Sequence, residues 1–447
     1  MSRTAAVSAA VLVLVIAVVV AGSSAGVGSG SSPSGSGSIV AASPSPAPSP
    51  LGSGAVAHRP REAFGFLPYW SMADWTDSYL RYDLLTTIAF FGVGVRDDGS
   101  IVKSGAGYNA FMSDRATTII DHAHAAGVRV VITFESFGTT HNKRFLPNAT
   151  ARARFVTQAA ALVAARGIDG ANLDVENVPA ANVPDFGQLV GATASAIHGA
   201  DAAAEVTVST NGNVSGAVMA ALAVSNGADR AFLMGYSYRV GTSATTGSVS
   251  PVSAVGTPLD LSTSLDLYDA ASVPADRILL GLPYFGMTWP TRTAALHSLR
   301  QPDSAKLGKG VAFRPRTIAT SGPPDEAILD HDPIEVSARY TWFDAGRKSW
   351  YQTYFDDPQT LAVKENLAIE HGLAGVGLWA LGDDYGVAGY WETLAATLGL
   401  GPPYVAPTAS PATSPGAAGS IGPTGTAATR SSASPAGPPG TAAPTLP

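Results

Sequence analysis

Residues 167–177 read GIDGANLDVEN, and their alternation decides how the chain folds. Asn172, Asp174 and Glu176 occupy every second position, while Ala171, Leu173 and Val175 fill the gaps. In a strand alternate residues face the same way, so the three polar groups share one face at a Cα spacing of roughly 6.6 Å per pair. An ordinary strand with one solvated face would show the same pattern. The flanking apolar runs argue instead that this strand is covered on both sides, so the polar stripe is an inward column.

Working outward, seven more short runs look like strands: AFGFLPY (63–69), TTIAFFGV (86–93), VRVVITF (128–134), EVTVST (205–210), RAFLMGY (230–236), RILLGLPY (277–284) and GVGLWA (375–380), alongside GANLDVE (170–176). They are rich in β-branched and aromatic residues and mostly apolar on both faces, as strands of a covered parallel sheet are. Helical patterns with proper ends lie between them. Residues 150–166 begin at Thr150 as N-cap and stop at Gly167, and residues 357–371 have Asp357 as cap, Pro358 at the first helical position and Gly372 after the end. Segments 113–127 and 184–198 read similarly. Eight strands alternating with helices predict an α/β fold of the (β/α)8 TIM-barrel type. The interval 288–349 is too long for one crossover, so a small α+β insertion is expected between strands seven and eight.

All but two of the charged residues, Arg3 and Arg430, fall between His58 and Pro402. Residues 26–57 and 403–447 are dominated by Gly, Ser, Ala, Pro and Thr and are expected to be disordered linker and tail, leaving 58–402 as the folded unit. Residues 1–25 carry Arg3, an apolar run from Ala9 to Ala21 and the small residues Ser23, Ser24 and Ala25. A spanning helix needs about 20 apolar residues, so an export signal is expected, and the protein is placed outside the cell. Left uncleaved, the same segment would be a membrane anchor. With a net charge of −7 and a weakly charged, acidic surface, nucleic acid is not expected as partner; a neutral polymer suits it better. The chain has no cysteine, which excludes disulfides and thiolate metal sites.

In a barrel of this type chemistry gathers at the C-terminal ends of the strands. A buried inward column ending in Glu176 is costly unless its groups bond one another. Two carboxyls this close should share a proton between Asp174 and Glu176, raising the apparent pKa of the outer one so that it can donate near neutral pH. Such an acid in a neutral-polymer groove is what glycosidic cleavage requires. Tyr69, Trp70, Tyr284 and Trp289 lie at strand ends where sugar faces could stack, although core packing explains each as well. His122 and His124 show no metal-ligand spacing and read as a helix end, and Asp356-Asp357 and Asp383-Asp384 read as a helix cap and a loop. No metal and no cofactor are expected. Asn148 and Asn213 stand in glycosylation sequons, which are common by chance.

The column resembles the fourth-strand motif of glycoside hydrolase family 18, the chitinase-like barrels: Asp169, Gly170, Asn172, Asp174 and Glu176 fill every fixed position of D-G-x-[DN]-x-D-x-E. The likeness extends over nearly all of residues 61–400, with FLMGYSY (232–238), LLGLPYFGMTW (279–289) and Trp379 in the later strands, and is greatest to the spore-germination, peptidoglycan-active branch. The resemblance implies a retaining, substrate-assisted mechanism. Glu176 would protonate the glycosidic oxygen, Asp174 would orient the 2-acetamido group and Tyr236 would donate to its carbonyl oxygen. Trp379 would form the floor under the sugar, and Asn172 could bond Asp174. Asn172 and Met234 of the matched strands are expected at the substrate; from their places at strand ends Tyr69 and Tyr284 are expected there too, and Glu135 as a substrate contact or a carboxylate behind it. Two positions depart from the family: Ser237 replaces the usual Asp after Tyr236, and Glu135-Ser136-Phe137-Gly138 stands where Ser-x-Gly-Gly is usual. The implied partner is an N-acetylglucosamine-containing polysaccharide, chitin or peptidoglycan, with the protein a monomer. The competing reading is a lectin-like glycan-binding barrel without turnover; such relatives usually lose the glutamate that stands here as Glu176.

Overall fold

The structure, a computed structural model, describes residues 61–401. The export signal, the linker and the tail expected from the sequence lie outside the described residues. Thirteen strands are described in chain order: β1 (Glu62–Pro68), β2 (Thr87–Gly94), β3 (Arg129–Phe137), β4 (Gly170–Glu176), β5 (Glu205–Asn211), β6 (Arg230–Met234), β7 (Ile278–Pro283), β8 (Gly286–Thr291), β9 (Val311–Phe313), β10 (Ile328–Asp332), β11 (Ser337–Asp344), β12 (Ser349–Phe355) and β13 (Gly375–Trp379). Strands β1 to β7 and β13 close into a barrel in the order β1-β13-β7-β6-β5-β4-β3-β2, every pair parallel. The expected (β/α)8 barrel is thus the observed fold.

Its helices follow the sequence signals closely. Ser113 caps the helix Asp114–Ala125 by accepting from Ala116 N. Asp357 and Thr360 form a capping box at Pro358–Glu370, with Pro358 in the first turn where its missing N–H costs nothing. One cap was misplaced: the helix Ala149–Arg166 is capped by Asn148, whose side chain accepts from Ala151 N, so Thr150 lies inside the first turn. The first crossover departs from the ideal as well. Between β1 and β2 only a turn of 3-10 helix at Tyr69–Ser71 and four residues of helix at Thr76–Tyr79 are formed.

Between β7 and β13 the chain leaves the barrel to build a five-stranded antiparallel sheet, ordered β10-β11-β12-β8-β9, with one short helix at Arg316–Ser321. Arg239, in the loop after β6, fastens to it: its guanidinium pairs with buried Glu335, which also accepts Ser248 N and Val255 N. Outward-facing Ala171, Leu173 and Val175 pack with Phe155, Leu189 and Val190 of the surrounding helices in the main core. A second core fills the barrel, built from Phe64, Phe66, Ala89, Phe91, Val131, Phe232, Met234 and Leu279. Among the described residues no helix is long and apolar enough to cross a membrane.

Candidate active site

Strand β4 enters the barrel through a glycine. Gly170 has φ +149°, and a Cβ there would stand 1.9 Å from Glu205 O, so no side chain fits where β4 presses on β5. Asp169, just before it, is committed to structural bonds. Its Oδ2 accepts Val130 N at 2.7 Å and His124 Nε2 at 2.8 Å, fastening the helix end to the sheet. Asp229, His198 and Val206 repeat the arrangement two strands further round the barrel, which identifies it as a structural clasp. His122 pairs with Asp77.

Further along β4, Asn172 and Asp174 point inward and are buried, and Glu176 is half-buried at the mouth. Asn172 does not bond Asp174, contrary to expectation. Its amide donates to Thr207 Oγ1 at 2.8 Å and its oxygen accepts Ser209 Oγ at 3.2 Å, both from β5. Being fully buried, it supports the column from beneath and has no surface for a sugar. Met234 is likewise buried, in the ring layer under Tyr236 and Trp379.

Asp174 Oδ1 is buried with no partner. Burial pushes the Asp174 carboxyl well above the usual carboxylate range, and the charges of Glu176 and Glu135 push the same way. Glu176 is raised by burial, and Glu135 is raised to about 7 by burial and by Glu176. Among the described residues no Lys, Arg or His contributes to any of these three shifts, so burial and mutual repulsion act on the carboxyls unopposed. Tyr236 shows the same field: burial, then Asp174 and Glu176, hold its hydroxyl well above its ordinary value, so it stays a donor.

Aromatic rings frame the acids. Trp379 is half-buried at the end of β13, its ring 6.4 Å from Tyr236 and 25° from parallel to it, with Phe91 edge-on at 4.6 Å and Phe66 at 5.3 Å. Tyr69 is half-buried and Trp70 is 38% exposed, the latter 6.0 Å from Phe91, so a row of rings runs from the floor to the rim. Two aromatics leave the site. Tyr284 turns outward just past β7 and is buried against Tyr390, and Trp289 is fully buried in the insertion, its indole N–H donating to Val240 O. The alternation that aims β7 ends at Pro283, so it could not aim Tyr284.

Asn142 escaped the sequence reading altogether. It is fully buried, and its Nδ2 donates to Glu176 O at 2.6 Å and Ser136 O at 3.1 Å, fixing the chain where it carries the acid. Nothing in HNKRFLPN signals this. Phe91 and Gly92 were also missed, since a Phe-Phe-Gly run does not say which ring faces in.

Among the described residues one group, His297, Asp332 and Glu335, comes close enough to hold a metal. It lies in the insertion, and both Glu335 oxygens are already engaged by Arg239 and backbone N–H groups, so it reads as a buried charge network. Asp356 pairs with buried Lys364, Asp383 faces Arg314 at 2.9 Å, and Asp384 accepts from the Tyr79 hydroxyl.

Residues 64–384 match the sequence profile of glycosyl hydrolases family 18. The chain belongs to that family. A class V chitinase from Arabidopsis thaliana is 27% identical over 251 residues, spanning 53% of this chain and 64% of that protein. A probable di-N-acetylchitobiase 1 from Dictyostelium discoideum is 24% identical over 341 residues, 71% of this chain and 84% of that protein. The family 18 chitinase of Cycas revoluta, solved with (GlcNAc)3, superposes with a TM-score of 0.61 at 19% identity over 75% of this chain and 98% of that one. Catalytic domain 2 of the Ostrinia furnacalis Group II chitinase gives 0.65 at 17% identity, covering 76% and 96%. At these identities the structural likeness speaks for the fold.

Proposed function

We propose that this family 18 glycoside hydrolase cleaves β-1,4 bonds at N-acetylglucosamine residues, with Glu176 as the proton donor. The observation that carries the reading is a half-buried carboxyl at the mouth of the barrel, raised above the usual carboxylate range by burial, beside Tyr236 and Trp379. A protonated acid at half exposure can reach a glycosidic oxygen, whereas an ionised one could not donate. Asp174, buried one step behind it, orients the 2-acetamido group as that group's carbonyl oxygen attacks the anomeric carbon. Tyr236 donates to the same oxygen. The Trp379 ring gives the sugar an apolar floor, and Trp70 and Tyr69 extend the stacking surface toward the rim.

Chitin-type oligomers are the first substrate to offer. The relatives named above carry chitin-directed names, and the peptidoglycan reading has no comparable support among them. Export, on the strength of Arg3 and the Ala9–Ala21 run, is part of the same proposal and is checked by the N-terminal mass of secreted protein. The deciding experiment is release of reducing ends from N-acetylglucosamine oligomers and from purified peptidoglycan by the wild type and by Glu176→Gln. Turnover that falls by about 10²- to 10⁴-fold in the variant supports the acid role. Binding without turnover in the wild type would replace the hydrolase by a lectin-like protein.

A further inference from the structure

Tyr236 stands two residues past the end of β6, beyond the ladder that aims the inward groups of that strand. The last ladder bond runs from Gly235 N to Gly281 O of β7 at 3.0 Å. From there on the backbone is held by residues 248–250, which belong to neither sheet. Ser250 Oγ donates at 2.5 Å to Gly235 O, the carbonyl of the peptide unit that leads into Tyr236, and Tyr238 N donates to Val249 O at 3.1 Å on the other side. One short segment therefore brackets the tyrosine.

That segment is fixed in turn by a single carboxylate of the insertion. Glu335 lies fully buried in the turn between β10 and β11. Its Oε2 accepts Ser248 N at 2.7 Å and Arg239 Nη1 at 2.8 Å, and its Oε1 accepts Val255 N at 2.9 Å and lies 2.7 Å from Arg239 Nη2. Arg239 is three residues past Tyr236 and also donates to Ser248 O at 3.2 Å. One side chain thus grips the tyrosine's own loop and the segment that brackets it. Room has been kept for the grip: a Cβ on Gly247 would stand 2.4 Å from Arg239 Nη1 and 2.6 Å from Glu335 Oε2. The backbone is bent into the left-handed region beside Tyr236 and beside Glu335 alike, at Ser237 with φ +60° and at Val336 with φ +54°. A β-branched residue takes that conformation only where its surroundings over-determine it.

We propose that Glu335 is a positioning residue for Tyr236: through Arg239 and residues 248–250, the insertion holds the Tyr236 hydroxyl where the substrate's acetamido oxygen reacts. This rests on the role given to Tyr236 above. A buried ion pair adds little net stability, because desolvating two charges offsets their attraction. What it does supply is direction. A guanidinium and a carboxylate paired through two parallel bonds admit one relative orientation, and that orientation passes to the peptide units on both sides of Tyr236. The insertion between β7 and β13 then serves the chemistry without touching the substrate through this pair.

The test is Glu335→Asp, which keeps the charge opposite Arg239 but withdraws it by one methylene, together with Ser250→Ala, which removes only the bond to Gly235 O. On an N-acetylglucosamine oligomer each should lower kcat about tenfold with KM within about twofold, because the tyrosine is misplaced while the sugar floor is intact. In a Tyr236→Phe background neither should lower kcat by more than about twofold further, since the group they aim is gone. Residues that merely hold the fold would lower kcat by the same factor in both backgrounds, and that result, or an unchanged kcat in Glu335→Asp, overturns the proposal. A second readout needs no turnover. The Tyr236 ring lies 5.9 Å from Phe285 and 6.4 Å from Trp379, so ring currents report its position in carbon-13 tyrosine NMR. Its resonance should move in both variants, and an unmoved resonance in Glu335→Asp also overturns the proposal. A wild type that cleaves nothing but shows the moved resonance would sink the hydrolase reading and leave the tie between Glu335 and Tyr236 standing.

Discussion

The two ends of this barrel handle buried acids in opposite ways. At the N-terminal end, Glu62 of β1 and Glu205 of β5 meet Arg129 of β3 and Arg230 of β6. Arg129 Nε lies 2.7 Å from Glu205, Thr87 donates to the same carboxylate, and Arg230 pairs with Glu62. Two acids face two bases. At the C-terminal end three acids, Glu135, Asp174 and Glu176, face none among the described residues, and burial raises all three carboxyls. Isolated buried charge is expensive, so an unneutralised cluster persists only where something other than stability selects it. The balanced end closes the barrel, while the unbalanced end holds the proposed proton donor.

This contrast can be broken at four places. Arg129→Met should remove one of the two cations of the lower end, the one bonded to Glu205, and cost about 3 kcal/mol in urea unfolding while activity per folded molecule holds. If it instead left stability untouched, the lower network would be no more structural than the upper one. Asp174→Asn should do the reverse: a loss of about 10²-fold in kcat/KM with a melting temperature equal to or above that of the wild type, since it removes a buried carboxyl that has no partner. A drop in melting temperature would show that Asp174 has a stabilising partner.

On the helix Pro358–Glu370, Glu365 is fully buried, with Thr397 donating to its Oε2 at 2.8 Å and Oε1 unpaired. Burial pushes its carboxyl to about 8 from 4.5. Its folded-state pKa is raised, so its contribution to stability is fully present below pH 4.5 and is lost as pH climbs toward about 8. Glu365→Gln should flatten the fall of unfolding free energy over that window by a few kcal/mol at most. A parallel fall in both proteins would assign the pH dependence to other groups. The smallest effect is expected at His124, whose half-exposed imidazole is raised by the Asp169 hydrogen bond. His124→Ala should lose less than about 1 kcal/mol, present below pH 6.5 and fading above it as the imidazole deprotonates.

How much of this was legible in the sequence depends on how local the cause is. Strand β4 was readable to the residue, because alternation and Gly170 act within the strand, and all eight barrel strands followed from apolar runs. Strand β3 outran its sequence signal: Glu135, Ser136 and Phe137 belong to it because Asp174, Val175 and Glu176 pair with them. The cap at Asn148 and that proposed at Thr150 are two residues apart and both chemically able, and geometry chose the first. What stayed hidden depends on contacts between strands. The bonds from Asn172 to Thr207 and Ser209, the notch that Gly92 makes for Glu135, and the hold of Asn142 on Glu176 O each join residues whose proximity only the closed barrel creates. Tyr284 was misread for the related reason that side-chain direction cannot be extrapolated past the end of a strand.

The most direct test of the central claim is the anomeric form of the first product. With Glu176 donating and the substrate's own acetamido oxygen attacking, water enters from the face the leaving group vacated, so proton NMR of fresh hydrolysate from an N-acetylglucosamine oligomer should show the β-anomer before mutarotation mixes the forms. Initial release of the α-anomer would contradict the mechanism, and release of no product at all would contradict the function.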